Sequence, residues 1–174
     1  MKKIFLLTAL LSLAIAGQSQ VNAIDEMFDR YSEKEGFTTV YISSKLLGMF
    51  IPKDAKDEEG RDIVGRLSSI RILTVEDTLL NKNVNFYKEL SSRVNFREYD
   101  ELMVVKEGGD ITKFLVKQKG DRISELLMIT GGPGGNTLIS IKGDLDMKAI
   151  SELSKNSGIE ELKDLDKIDK DNPR

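Results

Sequence analysis

The chain of 174 residues carries 26 basic and 29 acidic side chains, a net charge of −3, and has neither histidine nor cysteine. Those two absences exclude Ser-His and Cys-His nucleophile pairs, thiol redox work, disulfides and the usual zinc, copper and haem ligations. Carboxylate chemistry, a Ser-Lys pair and oxygen-ligated cations stay open.

The first segment reads as an export signal. Lys2 and Lys3 precede the apolar run Ile4–Ala16, and small residues follow; the run is too short for a comfortable membrane span. Cleavage fits after Ala16 or after Ser19, so residues 1–19 are assigned to the signal. Losing the two lysines leaves 24 basic residues against 29 acidic, a net charge of −5. That balance argues against nucleic acid and anionic lipid as partners. The mature chain of about 155 residues is the size of one domain. Its expected place is the periplasm or the extracellular space, without a membrane span and, lacking a cysteine near the cleavage region, without a lipid anchor.

Asn22 is placed to cap a helix whose apolar residues Ile24, Met27, Phe28 and Tyr31 recur at helical spacing, ended by Gly36. Phe37–Ser43 is β-branched and aromatic and reads as a strand. Ser44 then caps a short helix through Leu46, Leu47 and Phe50. Residues 51–60 form a charged loop, and Arg61–Leu67 reads as one or two helical turns. Ser69–Val75 is a second strand, with Ile70 and Ile72 opposing Arg71 and Leu73. A stripe of Val84, Tyr87, Leu90 and Val94 predicts a helix over residues 84–96.

From Glu101 to Leu153 the pattern changes to four alternating segments cut by glycine turns, then a helix. Gly108-Gly109 and Gly120-Asp121 suit tight hairpins, and Gly131–Asn136 is a looser turn. Such short links force neighbouring strands antiparallel. One side gathers Phe114, Val116, Ile123, Leu127, Ile129, Ile139 and Ile141, with Glu125 a polar exception. The other holds Leu115, Leu126, Met128 and Leu138 among lysines and serines. After Gly143, Asp144 or Asp146 caps a helix carrying Ile150 and Leu153.

The simplest packing is an α+β domain over residues 20–157: a single, mainly antiparallel sheet of about six strands with helices on one face. A charged tail, 158–174, carries Ile159, Leu162, Leu165 and Ile168 at helix-like spacing. The runs Phe37–Phe50 (FTTVYISSKLLGMF), Leu67–Val75 (LSSIRILTV), Glu101–Gly109, Ile123–Leu127 (ISELL) and Ile139–Leu145 (ISIKGDL) resemble the exported bacterial family catalogued as domain of unknown function 4252. The resemblance implies a small envelope domain of Gram-negative bacteria with no established activity, ligand or catalytic residue. Some relatives are encoded near sigma-factor and anti-sigma genes, which implies a link to envelope regulation. The chain departs from lipidated members in lacking the anchor cysteine, and no functional residue carries over.

No catalytic, cofactor or metal site emerges. Asp164, Asp166, Asp169 and Asp171 miss the EF-hand spacing, since Ile168 and Asp169 occupy loop positions 5 and 6. Asp54, Asp57, Glu58 and Glu59 read as a wet loop. GGPGG lacks the lysine and hydroxyl of a P-loop. Ser43-Ser44-Lys45 reads as a helix cap rather than a Ser-Lys pair. The candidate binding residues are Leu115, Leu126, Met128 and Leu138, joined by Leu73. Left bare, that patch marks a docking surface; covered by the tail or the first helix, it is core. A sheet edge is a second docking place, by strand addition. The expected function is a non-catalytic envelope binding domain for another envelope protein or a small apolar ligand. The alternative is a carboxylate-based hydrolase or transferase, which needs converging acids in a pocket.

Overall fold

The computed structural model describes residues 22–49, 63, 65–75 and 77–156. The expected export signal, the charged loop and its four acids, Phe50 and the acidic tail lie outside the described residues.

Helix α1 is Ala23–Tyr31, started by the Asn22 side chain accepting from the Ile24 N–H at 3.0 Å. Asp25 and Glu26 lie in its first turn, where the helix dipole favours them. Strand β1, Phe37–Ser43, follows Gly36, which holds φ +80°. A Cβ there would lie 2.4 Å from Leu80 Cδ1, so glycine answers to both the backbone and the neighbour. Helix α2 is Ser44–Met49, and it is Ser43 that caps it, its Oγ accepting from the Leu46 N–H at 3.3 Å.

Strand β2 spans Leu67–Val75, two residues earlier than the alternation suggested. Ser68 bulges out of the pairing with the last strand, so Leu67 and Ile70 both face inward although three residues apart. Within residues 84–96 the helix is shorter than expected, and a helix not read from the sequence precedes it. Helix α3, Thr78–Asn83, is capped by Asp77, and helix α4, Phe86–Ser91, by Asn85, with Val84 extended between them. A one-turn 3₁₀ helix, Phe96–Glu98, then leads into the meander.

The meander is as expected: β3 (Asp100–Glu107), β4 (Asp110–Lys119), β5 (Arg122–Gly131) and β6 (Asn136–Leu145), followed by helix α5, Met147–Asn156. Gly108, Gly109 and Gly120 hold positive φ in the two tight turns. Asp146 caps α5 by accepting from the Ala149 N–H at 2.8 Å. The six strands make one antiparallel sheet in the order β1-β2-β6-β5-β4-β3. A row of threonines, Thr38, Thr74, Thr137, Thr130 and Thr112, crosses five adjacent strands and displays the register.

Helices cover both faces of this sheet, not one. Ile24, Met27 and Phe28 of α1 and Phe86 and Leu90 of α4 pack on Leu73, Leu115, Leu127, Ile129 and Leu138. Ala149, Ile150 and Leu153 of α5 and Ile63 pack on the reverse, against Ile70, Phe114, Val116, Leu126, Met128, Ile139 and Ile141. The reason lies in the strands: Leu115-Val116, Leu126-Leu127 and Leu138-Ile139 are apolar on both sides, so each face needs a cover. Each such side chain contributes about 1.5–3 kcal/mol when fully buried.

One parity is inverted relative to the plain alternation. Lys117 and Gln118 of β4 are adjacent, yet their partners Glu125 and Ile123 on β5 are two apart. Ser124 is the extra residue, and its Oγ donates to the Lys117 carbonyl at 2.9 Å. The bulge sends Ile123 to the α5 face with Leu126 and Met128, and Glu125 to the α1 face with Leu127.

Candidate interaction surface

The four side chains expected to form one apolar patch do not. Leu115 and Leu138 lie under α1 and α4, Leu126 and Met128 under α5, and all four are 0–3 % exposed. Leu73 is buried beside Leu138. They are core on two opposite faces, because the Ser124 bulge reverses the facing of β5 and because helices occupy both faces.

The polar residues of the α1 face form a packed network. Glu125, buried, accepts from Ser140 Oγ at 2.7 Å on one oxygen and from Tyr99 Oη at 2.8 Å on the other. Burial first, then the neighbouring Glu125 carboxylate, drives the Tyr99 hydroxyl far above the ordinary tyrosine range. Asp25 of α1 accepts from Lys142 Nζ at 3.0 and 3.1 Å and from Arg71 Nη1 at 3.0 Å. The Arg71 guanidinium also lies 4.3 Å above the Phe28 ring and donates to Asp29 at 3.1 Å. These contacts fasten α1 across β2 and β6.

Two open depressions border this face. One, of 620 Å³, is lined by Arg93, Asn95, Glu98, Tyr99 and Lys117. Its cations are engaged, Lys117 with Glu98 at 2.6 Å and Arg93 with Glu26 at 3.3 Å. The other, of 460 Å³, is lined by Tyr87, Glu101, Val104, Ile111 and Lys113, with Lys113 paired to Glu101. Neither brings two carboxylates to one point. Among the described residues no group of three or more acidic side chains is placed to hold a metal ion.

GGPGG is a fitted turn. Asp110 Oδ1 accepts from the Gly134 N–H at 2.9 Å, and a Cβ on Gly132 would lie 2.6 Å from the Asp110 Cα. Asn136 closes the same corner: its Oδ1 accepts from the Phe86 N–H at 2.9 Å, and its Nδ2 donates to Gly132 and Asn81.

The exposed apolar surface lies at the sheet's β1 edge. Of the six large apolar side chains left exposed among the described residues, four are Val40 and Tyr41 of β1 and Leu46 and Met49 of α2. Tyr41 is 62 % and Met49 74 % exposed. Val40 points to the α5 face, since it pairs with Ile72 and onward with Ile139; Tyr41 points to the α1 face, opposite Arg71. The sequence carried a signal for this surface in the sparseness of charge: Lys45 is the one ionisable cation or acid between Phe37 and Met49.

Among the described residues no helix is long and apolar enough to cross a membrane. No curated protein and no solved structure matches the chain. The sequence profile described as "Domain of unknown function (DUF4252)" matches residues 31–153, from the end of α1 through the sheet to α5, and the chain belongs to that family.

Proposed function

We propose that the chain is an exported, non-catalytic interaction domain of the cell envelope that docks a protein partner along its β1–α2 edge. The observation that carries this is the gathering of Val40, Tyr41, Leu46 and Met49 on one edge of a sheet whose two faces are already covered. Exposed apolar groups clustered in this way mark contact surfaces, and an edge strand offers main-chain hydrogen bonds as well. The export part rests on Lys2, Lys3 and the apolar run after them. Against the hydrolase alternative stands Glu125, the most buried acid among the described residues, with both oxygens engaged by hydroxyls.

A photoreactive phenylalanine analogue at position 41, compared with one at exposed Lys119 on β4, tests the docking edge in intact cells. A discrete adduct from position 41, recovered in the osmotic-shock fraction and absent from position 119, is the expected result. No adduct from position 41 overturns the docking edge. Recovery of the chain in the cytoplasmic fraction alone overturns export.

A further inference from the structure

Resting on that docking edge, we infer that the partner is a second copy of this chain, joined β1 to β1 across a two-fold axis at Val40. Among the described residues the sheet ends in two strands that each have one neighbour, β1 and β3. Their chemistry differs. Strand β3 carries Asp100, Glu101, Lys106 and Glu107 and is interrupted by a bulge at Leu102. Charges and bulges are what keep a sheet edge from accepting another strand. Strand β1, FTTVYIS, has no charge and no proline, and its register runs unbroken from Phe37 opposite Val75 to Ser43 opposite Ser69.

The antiparallel mode that joins every pair in this sheet lets β1 pair with itself. A two-fold axis through Val40, normal to the sheet, sets Val40 against Val40 of the other copy. It sets Thr39 against Tyr41, Thr38 against Ile42 and Phe37 against Ser43. Each face of one sheet then continues into the same face of the other. No pairing opposes like charges, and the aromatic and β-branched pairs are those that favour cross-strand contact. Arg71, the nearest cation on β2, is already engaged by Asp25 and Asp29, so no unmatched charge meets the incoming strand from that side. Within β1 itself a charged foreign strand would find no counter-charge, and the β1 of a second copy brings no charge. Leu47 tucks α2 onto the core of the α5 face, so the exposed Leu46 and Met49 flank the joint.

The sequence has no cysteine, so one introduced thiol reports one position. The expected result is sedimentation of the exported chain at twice the monomer mass. In air, Val40→Cys closes a disulfide dimer and Lys119→Cys does not, because facing residues on the axis come within disulfide reach. Val40→Lys sets like charges on the axis and weakens dimerisation at least about tenfold, with unchanged circular dichroism, since residue 40 is already exposed. A chain that stays monomeric, or a dimer that Val40→Cys does not link, overturns the inference. The adduct at position 41 separates the two claims. An adduct of twice the chain's mass supports both. An adduct with another protein, from a monomeric chain, keeps the docking edge and ends the self-pairing, and no adduct ends both.

Discussion

Tyr99 donates its hydroxyl to Glu125 Oε2 across 2.8 Å, from the strand-leading turn before β3 to a carboxylate buried in β5. Ser140 Oγ donates to the other carboxylate oxygen. Tyr99→Phe removes one donor and leaves Oε2 buried without it, which costs about 1–3 kcal/mol. Tyr99→Phe combined with Glu125→Leu and Ser140→Ala removes all the polar partners together. The triple variant is therefore expected to recover most of that loss. Urea midpoints of the single and triple variants check it; a single change without effect would mean that water replaces the hydroxyl.

Tyr31 belongs to the same face and gives a pH dependence at the alkaline end. Burial first, then its hydrogen bond to Glu89, raises its pKa to about 12. The ordinary value, kept in the unfolded chain, is about 10. A folded-state pKa above the unfolded one means that the native state holds the proton more tightly. That contribution is complete below about pH 10 and disappears as pH climbs through the folded value near 12. Thermal unfolding followed from pH 9 to 12 should lose stability in that window. Tyr31→Phe should flatten the loss, and an unchanged slope in the variant would count against this origin.

Neighbouring glycines of the β5–β6 turn are expected to respond in opposite ways. A Cβ at Gly131 would lie 2.6 Å from the Tyr87 backbone nitrogen and 2.5 Å from Asn85 Oδ1. Gly131→Ala therefore forces α4 away from β5 and costs about 3 kcal/mol or more. Gly135 has nothing within 4 Å of the same position, so Gly135→Ala stays within about 0.5 kcal/mol of the parent. Equal effects at the two sites would mean that the turn answers to glycine's backbone freedom rather than to the approach of α4.

Much of the fold was legible because its signals are local. Gly108, Gly109 and Gly120 announce the hairpins, Asn22 and Asp146 announce helix starts, and two-residue alternation marks the strands. What escaped is set by partners distant in sequence. Ser124 looks like any strand serine, yet as a bulge it moves Glu125 from exception to member of the α1 face. Asp77 is a good cap, but the spacing of Val84, Tyr87, Leu90 and Val94 draws the helix start to Val84, where the chain instead breaks between α3 and α4. That break is held by Asn136, fifty residues away. The candidate surface was hidden for the same reason. Nothing within FTTVYIS says that β2 lies on one side of it and that the sheet ends on the other. Leu115, Leu126, Met128 and Leu138 read as one face, either bare or covered by the tail or the first helix, because neither the Ser124 bulge nor the α5 cover on the reverse face is written locally.

Asn136 gives the most selective test of this packing. Its amide is used at both ends: Oδ1 takes the Phe86 N–H, while Nδ2 faces the carbonyl oxygens of Asn81 and Gly132 at 3.2 and 3.0 Å and Asn81 Oδ1 at 3.1 Å. Asn136→Asp keeps shape and volume but sets a buried carboxylate oxygen against three acceptors. The loss at neutral pH is expected to be about 3 kcal/mol or more, the scale for a buried charge left without a partner. Burial and facing acceptors also raise the new carboxyl's folded pKa above its unfolded value of about 3.9. Protonation restores a donor, so the variant should recover ground on its parent as pH falls through that raised value, and the deficit should be greatest above it. Paired urea titrations of the two proteins between pH 4 and 8 measure the difference directly. A deficit that stays constant across that range would mean that the charge reaches water, and that the corner joining α3, α4 and the β5–β6 turn is looser than its hydrogen bonds indicate.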